Sequence, residues 1–164
     1  MLFRSGSRRL GMQPVLLVGA PGTGKTRFAQ RLSDLLGTPN TLINMSGMTD
    51  VKVLKGVTRG WSSNRPSRIV EFIQQHAVAN PLFILDEVDK ALGYSGGNGG
   101  DPQDALLDLL EPGNAKRYSD IYLMCECDVS HAMYVLTANS LEKLSEPLKS
   151  RLRIVYFPSP GPEH

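Results

Sequence analysis

The amino-acid sequence predicts an α/β fold with a mainly parallel sheet, on three observations. From Gln13 onward, short apolar, β-rich runs alternate with helical patterns, the order that produces strand–helix–strand units. Several of those runs are apolar without interruption, as strands covered on both faces must be. The third observation is length: 164 residues, 41% of them hydrophobic, supply one core and are short for two.

The elements follow in chain order. Residues 1–12 carry Arg4, Arg8 and Arg9 without an acid; they have no apolar stretch of a secretory signal and no amphipathic period, and read as a short leader. The first strand is expected at 14–18, followed by a glycine-rich turn and a helix over 25–36. A second strand falls at 41–45. A helix is predicted over 66–79, with Pro66 in its first turn, and a third strand over 82–85. The run Gly93-Tyr-Ser-Gly-Gly-Asn-Gly-Gly100 has a backbone too free to order cheaply and reads as a mobile loop. Asp101 is a good N-cap for a helix over 102–110 that opens on Pro102. Further strands are expected at 132–136 and 154–157, after which Pro158, Pro160 and Pro162 cannot continue a sheet or helix. The core is thus assigned to 13–158 and a tail to 159–164.

Composition excludes several classes. The 18 basic and 16 acidic side chains nearly balance, so charge alone points neither to a nucleic-acid grip nor to an acidic partner. No apolar run approaches the ~20 residues of a membrane-spanning helix. Cys125 and Cys127 flank Glu126 in an alternating stretch that reads as a strand, where side chains two apart share a face and do not readily close a disulfide. Without further Cys or His partners they form no zinc site. Free thiols and the absence of a membrane anchor lead to the expectation of a cytoplasmic protein in a reducing compartment.

The chemistry is concentrated at the ends of the expected strands. Gly19-Ala20-Pro21-Gly22-Thr23-Gly24-Lys25-Thr26 fits G-x-x-x-x-G-K-[ST] between an apolar strand and an amphipathic helix. Glycines let such a turn bring backbone N–H groups to phosphate oxygens, and the positive end of the helix favours the same anion. Lys25 would reach the β- and γ-phosphates and Thr26 would supply a hydroxyl to magnesium. Leu82-Phe-Ile-Leu-Asp86-Glu87 is an apolar strand ending in two acids, at the edge where open α/β sheets bind ligands. Asp86 would hold magnesium and Glu87 would orient and deprotonate an attacking water. Asn139 ends another strand, where a neutral amide could meet that water or the γ-phosphate, although Asn is also a common turn residue. Arg151 and Arg153 stand two apart; an arginine stabilises transferred-phosphoryl charge when a neighbouring subunit presents it, and spacing alone equally fits a surface arginine at a strand entrance.

Together these residues resemble the AAA+ ATPases, and specifically the ATPase module of Lon proteases and Lon-like bacterial ATPases. The resemblance runs from Val15 to Pro158. It is most specific at Asn80-Pro-Leu-Phe-Ile-Leu-Asp-Glu-Val-Asp-Lys90, Gly100-Asp-Pro-Gln-Asp-Ala-Leu-Leu-Asp-Leu-Leu-Glu-Pro112 and Tyr118-Ser-Asp-Ile-Tyr-Leu123. It implies a three-layer P-loop NTPase fold with a five-stranded sheet, in which 19–26 is Walker A, 82–87 Walker B, Asn139 sensor 1 and Arg151 an arginine finger. It further implies ATP and magnesium as cofactors, a homo-oligomeric ring (a hexamer in the family) and a protein substrate. Trp61, in Gly56-Val-Thr-Arg-Gly-Trp61, matches the family's substrate-gripping pore-loop aromatic; an aromatic packed under its own loop is the alternative. Ser62 replaces the usual aliphatic neighbour. The family's helical lid and the Lon serine–lysine proteolytic domain have no counterpart in the 164 residues, so the expectation is the large subdomain alone. Two alternatives remain from the residues: a nucleotide-binding or assembly module without turnover, and a motor on nucleic acid, the latter disfavoured by the lack of a basic stripe with aromatics.

Overall fold

The computed structural model describes residues 12–48, 51–60, 64–91 and 100–158. Along the chain lie β1 (Val15–Val18), α1 (Lys25–Leu36), β2 (Asn40–Asn44), α2 (Lys52–Lys55), α3 (Arg68–His76), β3 (Leu82–Asp86) and a 3-10 turn (Val88–Lys90). There follow α4 (Pro102–Leu110), α5 (Pro112–Ala115), β4 (Tyr118–Asp120), β5 (Cys125–Cys127), β6 (Met133–Ala138), α6 (Glu146–Ser150) and β7 (Arg153–Tyr156). Five strands form one parallel sheet in the order β2-β3-β6-β1-β7, and β4 and β5 pair separately as an antiparallel hairpin.

Alternation along each buried strand divides the core into two layers. Leu17, Leu82, Ile84, Met133 and Val135 face α1, meeting Ala29, Leu32 and Leu36. Leu16, Val18, Phe83, Leu85, Tyr134 and Leu136 face the opposite way, onto Leu54 of α2, Ile69 and Phe72 of α3, Leu106 and Leu109 of α4 and Leu148 of α6. This is the three-layer arrangement the sequence predicts, and each fully buried aliphatic side chain contributes about 1.5–3 kcal/mol to it.

The expected boundaries hold within a residue or two for the strands, with α1 and α4 at their predicted limits. Asp101 caps α4, accepting the Gln103 N–H at 2.8 Å. The helix predicted over 66–79 is shorter. Ser67 is its N-cap and accepts the Val70 N–H, so Pro66 lies outside; Ala77 ends it in the left-handed region at φ 51°. Both ends follow from side-chain and backbone capping that overrides the apolar period. The alternating stretch at Cys125 and Cys127 is a strand as expected, β5; its partner β4 and the short helices α2, α5 and α6 were not predicted, each being too brief to show a period. Cys125 and Cys127 lie on β5 as free thiols, and burial pushes the Cys127 thiol up to about 11, helped by its hydrogen bond with Cys125. Among the described residues no helix is long and apolar enough to cross a membrane.

Strand order places the glycine-rich turn. Successive connections run from β1 away to β2, return through β3 to β6 beside β1, and then cross to β7 on its other side. The C-terminal end of β1 is therefore the point where the winding changes direction, where open α/β sheets leave a crevice for ligands.

Candidate active site

Three neighbouring strands deliver the predicted residues to one edge. Register pairs Val18 with Ala138 and Leu85 with Leu136, so the residues that follow β1, β3 and β6 emerge side by side. Gly19 donates its N–H to the Ala138 carbonyl at 3.2 Å, and Lys25, 7% exposed, reaches the Asn139 Oδ1 at 3.3 Å. The same ammonium donates to the Gly19 and Ala20 carbonyls at 2.7 and 2.9 Å. Thr26 donates its hydroxyl to Asp86 Oδ1 at 2.9 Å.

The loop's shape depends on its glycines at specific places. Gly22 and Gly24 have φ of 79° and 83°, a region that only glycine enters without strain. A Cβ on either would meet nothing within 4 Å, so the loop bends around open space. Gly19 is different: a Cβ there would lie 2.5 Å from the Phe157 carbonyl oxygen. Helix α1 begins at Lys25 with no side-chain cap, leaving its first backbone N–H groups available to an anion.

These features fit a nucleotide phosphate and a divalent cation. An uncapped helix start, an open glycine-lined bend and a buried ammonium satisfied only by loop carbonyls and one amide form a phosphate-binding donor set. The Thr26 hydroxyl and the Asp86 carboxylate are hard oxygen donors held together, as magnesium requires. Among the described residues no three His, Cys, Asp or Glu side chains converge on a metal position; magnesium suits such a site, since it usually takes one or two protein oxygens and completes its shell with phosphate and water.

Glu87 occupies the sharp turn after β3. Its φ is 58°, an uncommon conformation for a residue with a Cβ, and its N–H donates to Thr137 Oγ1 at 3.0 Å. The carboxylate pairs with Lys90 three residues on, and that hydrogen bond, with the surrounding carboxylates, holds the Lys90 ammonium above its ordinary range. Thr137 also donates to Asp86 Oδ1 at 2.6 Å. It is a site residue that sequence reasoning missed; the available signal was a hydroxyl in an otherwise apolar strand, two positions before Asn139. Asp89, equally missed, is the second aspartate of Asp-Glu-Val-Asp and accepts the Asn139 N–H.

Arg151 is not brought to this edge. It stands two residues before Arg153, which pairs with Val15 at the start of β1, so it lies at the opposite end of the sheet, about 10 Å of strand from the loop. Its guanidinium donates to Glu111 Oε2 at 3.0 Å and to the Pro147 carbonyl at 3.1 Å. Trp61 lies outside the described residues, as does most of the 93–100 loop. The backbone on either side of Trp61 is drawn together by a bridge between Val57 and Arg65. An open polar cleft of about 360 Å³ lies elsewhere, between α4, α5 and the hairpin. Its charges are paired among themselves, Lys55 with Asp108 and Arg117 with Glu126, and it shares no residue with the loop edge, where the phosphate-binding donors converge.

Residues 15–159 match the ATPase family associated with various cellular activities (AAA). The chain belongs to the AAA family. It is 39% identical over 145 residues to a Lon protease of Malacoplasma penetrans, covering 88% of this chain and 18% of that protein. It is 38% identical over 147 residues to Lon protease 2 of Thermus thermophilus, covering 89% and 18%. The AAA chain thus spans under a fifth of the length of these curated relatives. Its fold is also that of a chain in a closed-state cryo-EM reconstruction of Hsp104 with ATPγS and FITC casein, at TM-score 0.69 and 19% identity, over 88% of this chain and 29% of that one.

Proposed function

We propose that residues 13–158 are the ATP-hydrolysing core of a Lon-like AAA+ machine, working in a homo-oligomeric ring, hexameric by family resemblance, that unfolds or remodels protein. The observation that carries the reading is the Thr26–Asp86 and Lys25–Asn139 pairing, because it joins the phosphate loop to the ends of two other strands as one charged unit.

Lys25 then exchanges its loop carbonyls for β- and γ-phosphate oxygens and stabilises the charge that develops on them. Thr26 and Asp86 would hold magnesium, which would supply charge neutralisation to the phosphates when bound. Glu87 turns from Lys90 to a water and accepts its proton at a carboxylate oxygen. Asn139, beside Lys25, orients that water or the γ-phosphate. Arg151 acts on the site of the adjacent subunit; its distance from the subunit's own loop supports that assignment. Trp61 is assigned to polypeptide grip by resemblance alone. The near balance of 18 basic and 16 acidic side chains, without a basic stripe interleaved with aromatics in the sequence, favours protein over nucleic acid as the polymer moved.

The test is ATP turnover by the full-length protein carrying Glu87→Gln. Turnover should fall by about 10²–10⁴-fold with ATP binding retained. Undiminished hydrolysis removes Glu87 from its role, and turnover stimulated by single-stranded DNA but not by unfolded protein would replace the substrate assignment.

A further inference from the structure

The 3-10 turn after Glu87 carries a carboxylate that the mechanism above leaves unused. Asp89 is 7% exposed. Its Oδ2 accepts the N–H of Asn139 at 3.1 Å and that of Ser140 at 3.3 Å. Its Oδ1 is buried without a hydrogen-bond partner among the described residues. Burying a carboxylate oxygen unsatisfied is costly, and two amide N–H groups alone do not require a charged acceptor. A carboxylate does make such bonds about twice as strong as a neutral oxygen. The cost is therefore consistent with a demand for a tight hold on this particular backbone.

That backbone carries Asn139. The turn holding Asp89 also carries Glu87, and Thr137 already joins the first part of the turn to β6 through Asp86 Oδ1 and the Glu87 N–H. Asp89 makes the second attachment, at the Asn139 and Ser140 amides, so that the ends of β3 and β6 are joined twice around the two groups that must face one water. We propose that Asp89 is a positioning residue that fixes Asn139 relative to Glu87, acting on turnover through Asn139 and not on nucleotide binding. The inference rests on the ATPase reading above.

The experiment is steady-state ATPase of the full-length protein with Asp89→Ala, Asp89→Asn, Asn139→Ala and the Asp89→Ala/Asn139→Ala double variant. Asp89→Ala should lower kcat by about 10- to 100-fold, the scale of a misplaced catalytic group, with KM for ATP within about threefold. Asp89→Asn keeps an oxygen for both N–H groups and should recover kcat to within about fivefold of the wild type. The double variant should be no slower than Asn139→Ala alone, as for residues that act as one unit. An unchanged kcat in Asp89→Ala, equal losses in the Ala and Asn variants, or losses that multiply in the double variant would overturn the proposal. If Asn139→Ala itself leaves kcat unchanged, the failure lies in the role given to Asn139. Should Asp89→Ala not fold, hydrogen exchange at the Asn139 and Ser140 amides of Asp89→Asn carries the test. A kcat that follows their protection supports the proposal, and kcat and protection that change independently overturn it.

Discussion

At the C-terminal edge of the sheet Lys25, Thr26, Asp86 and Asn139 bond to one another across three strands. At the N-terminal edge Arg151 is bound to Glu111 and Pro147 of its own subunit, with the length of β1 and β7 between it and the loop. On the proposed reading the first edge binds phosphate, and the second carries a cation that could meet transferred charge but is turned away from it. The two would then meet between copies, and separating the edges experimentally tests that division.

The largest effect should come from Arg151→Ala. In mixed rings with wild-type subunits the variant should silence the neighbour's site, lowering turnover there by about a thousandfold or more, while its own Lys25 site stays competent when a wild-type neighbour faces it. Activity that falls in strict proportion to the fraction of variant subunits, with each loss confined to the variant's own site, would contradict action between subunits. In that case the ion pair with Glu111 would be Arg151's whole role.

A smaller effect is expected at the C-terminal edge where the ends of β1 and β7 touch. Gly19 ends β1 against Phe157, which follows β7 and donates its N–H to the Val18 carbonyl at 2.7 Å. A Gly19→Ala methyl would sit 2.5 Å from the Phe157 carbonyl oxygen, so the backbone must shift, at a cost of about 1–3 kcal/mol. Denaturant unfolding should register that loss, and ATP affinity should fall with it because the displaced turn carries the Lys25 ammonium. Gly22→Ala has room for its methyl but strains a φ of 79°; it should weaken ATP binding with a smaller loss of stability, which separates crowding from backbone strain.

How much of this was legible in the sequence differs between the same two edges. The phosphate loop, Asp86, Glu87 and Asn139 could be read because each ends a continuous apolar strand, and residues after parallel strands must emerge together. Thr137 and Asp89 could not, because their partners are backbone N–H groups and a carboxylate brought close only by the β3–β6 register. The position of Arg151 needed the register of β7 against β1; two arginines two apart indicate an entrance to a strand and not which end of the sheet it enters. Strand β4, and so its pairing with β5, was hidden for a different reason. What anchors it is buried Asp120, whose carboxylate accepts the N–H groups of Ser67, Tyr122 and Leu123, and one polar residue in a three-residue strand leaves no periodic trace.

The smallest effect expected is that of Glu111→Gln. Arg151 and Glu111 are 35% and 41% exposed, so water screens the pair and its contribution to stability is below about 1 kcal/mol. The substituted amide would still offer an oxygen to the Arg151 Nε–H, and the Pro147 carbonyl would still accept from Nη1, so the guanidinium keeps its anchor and gains freedom to turn outward. The expected outcome is an unchanged unfolding midpoint together with turnover per assembled subunit within about fivefold of the wild type. Subunit assembly, followed by sedimentation against ATP concentration, is the sensitive readout. If Glu111 restrains an arginine that serves the neighbour, Glu111→Gln should shift assembly or turnover upward; a loss as deep as that of Arg151→Ala would mean that the orientation imposed by Glu111 is itself required, and would make the N-terminal edge as preorganised as the phosphate edge.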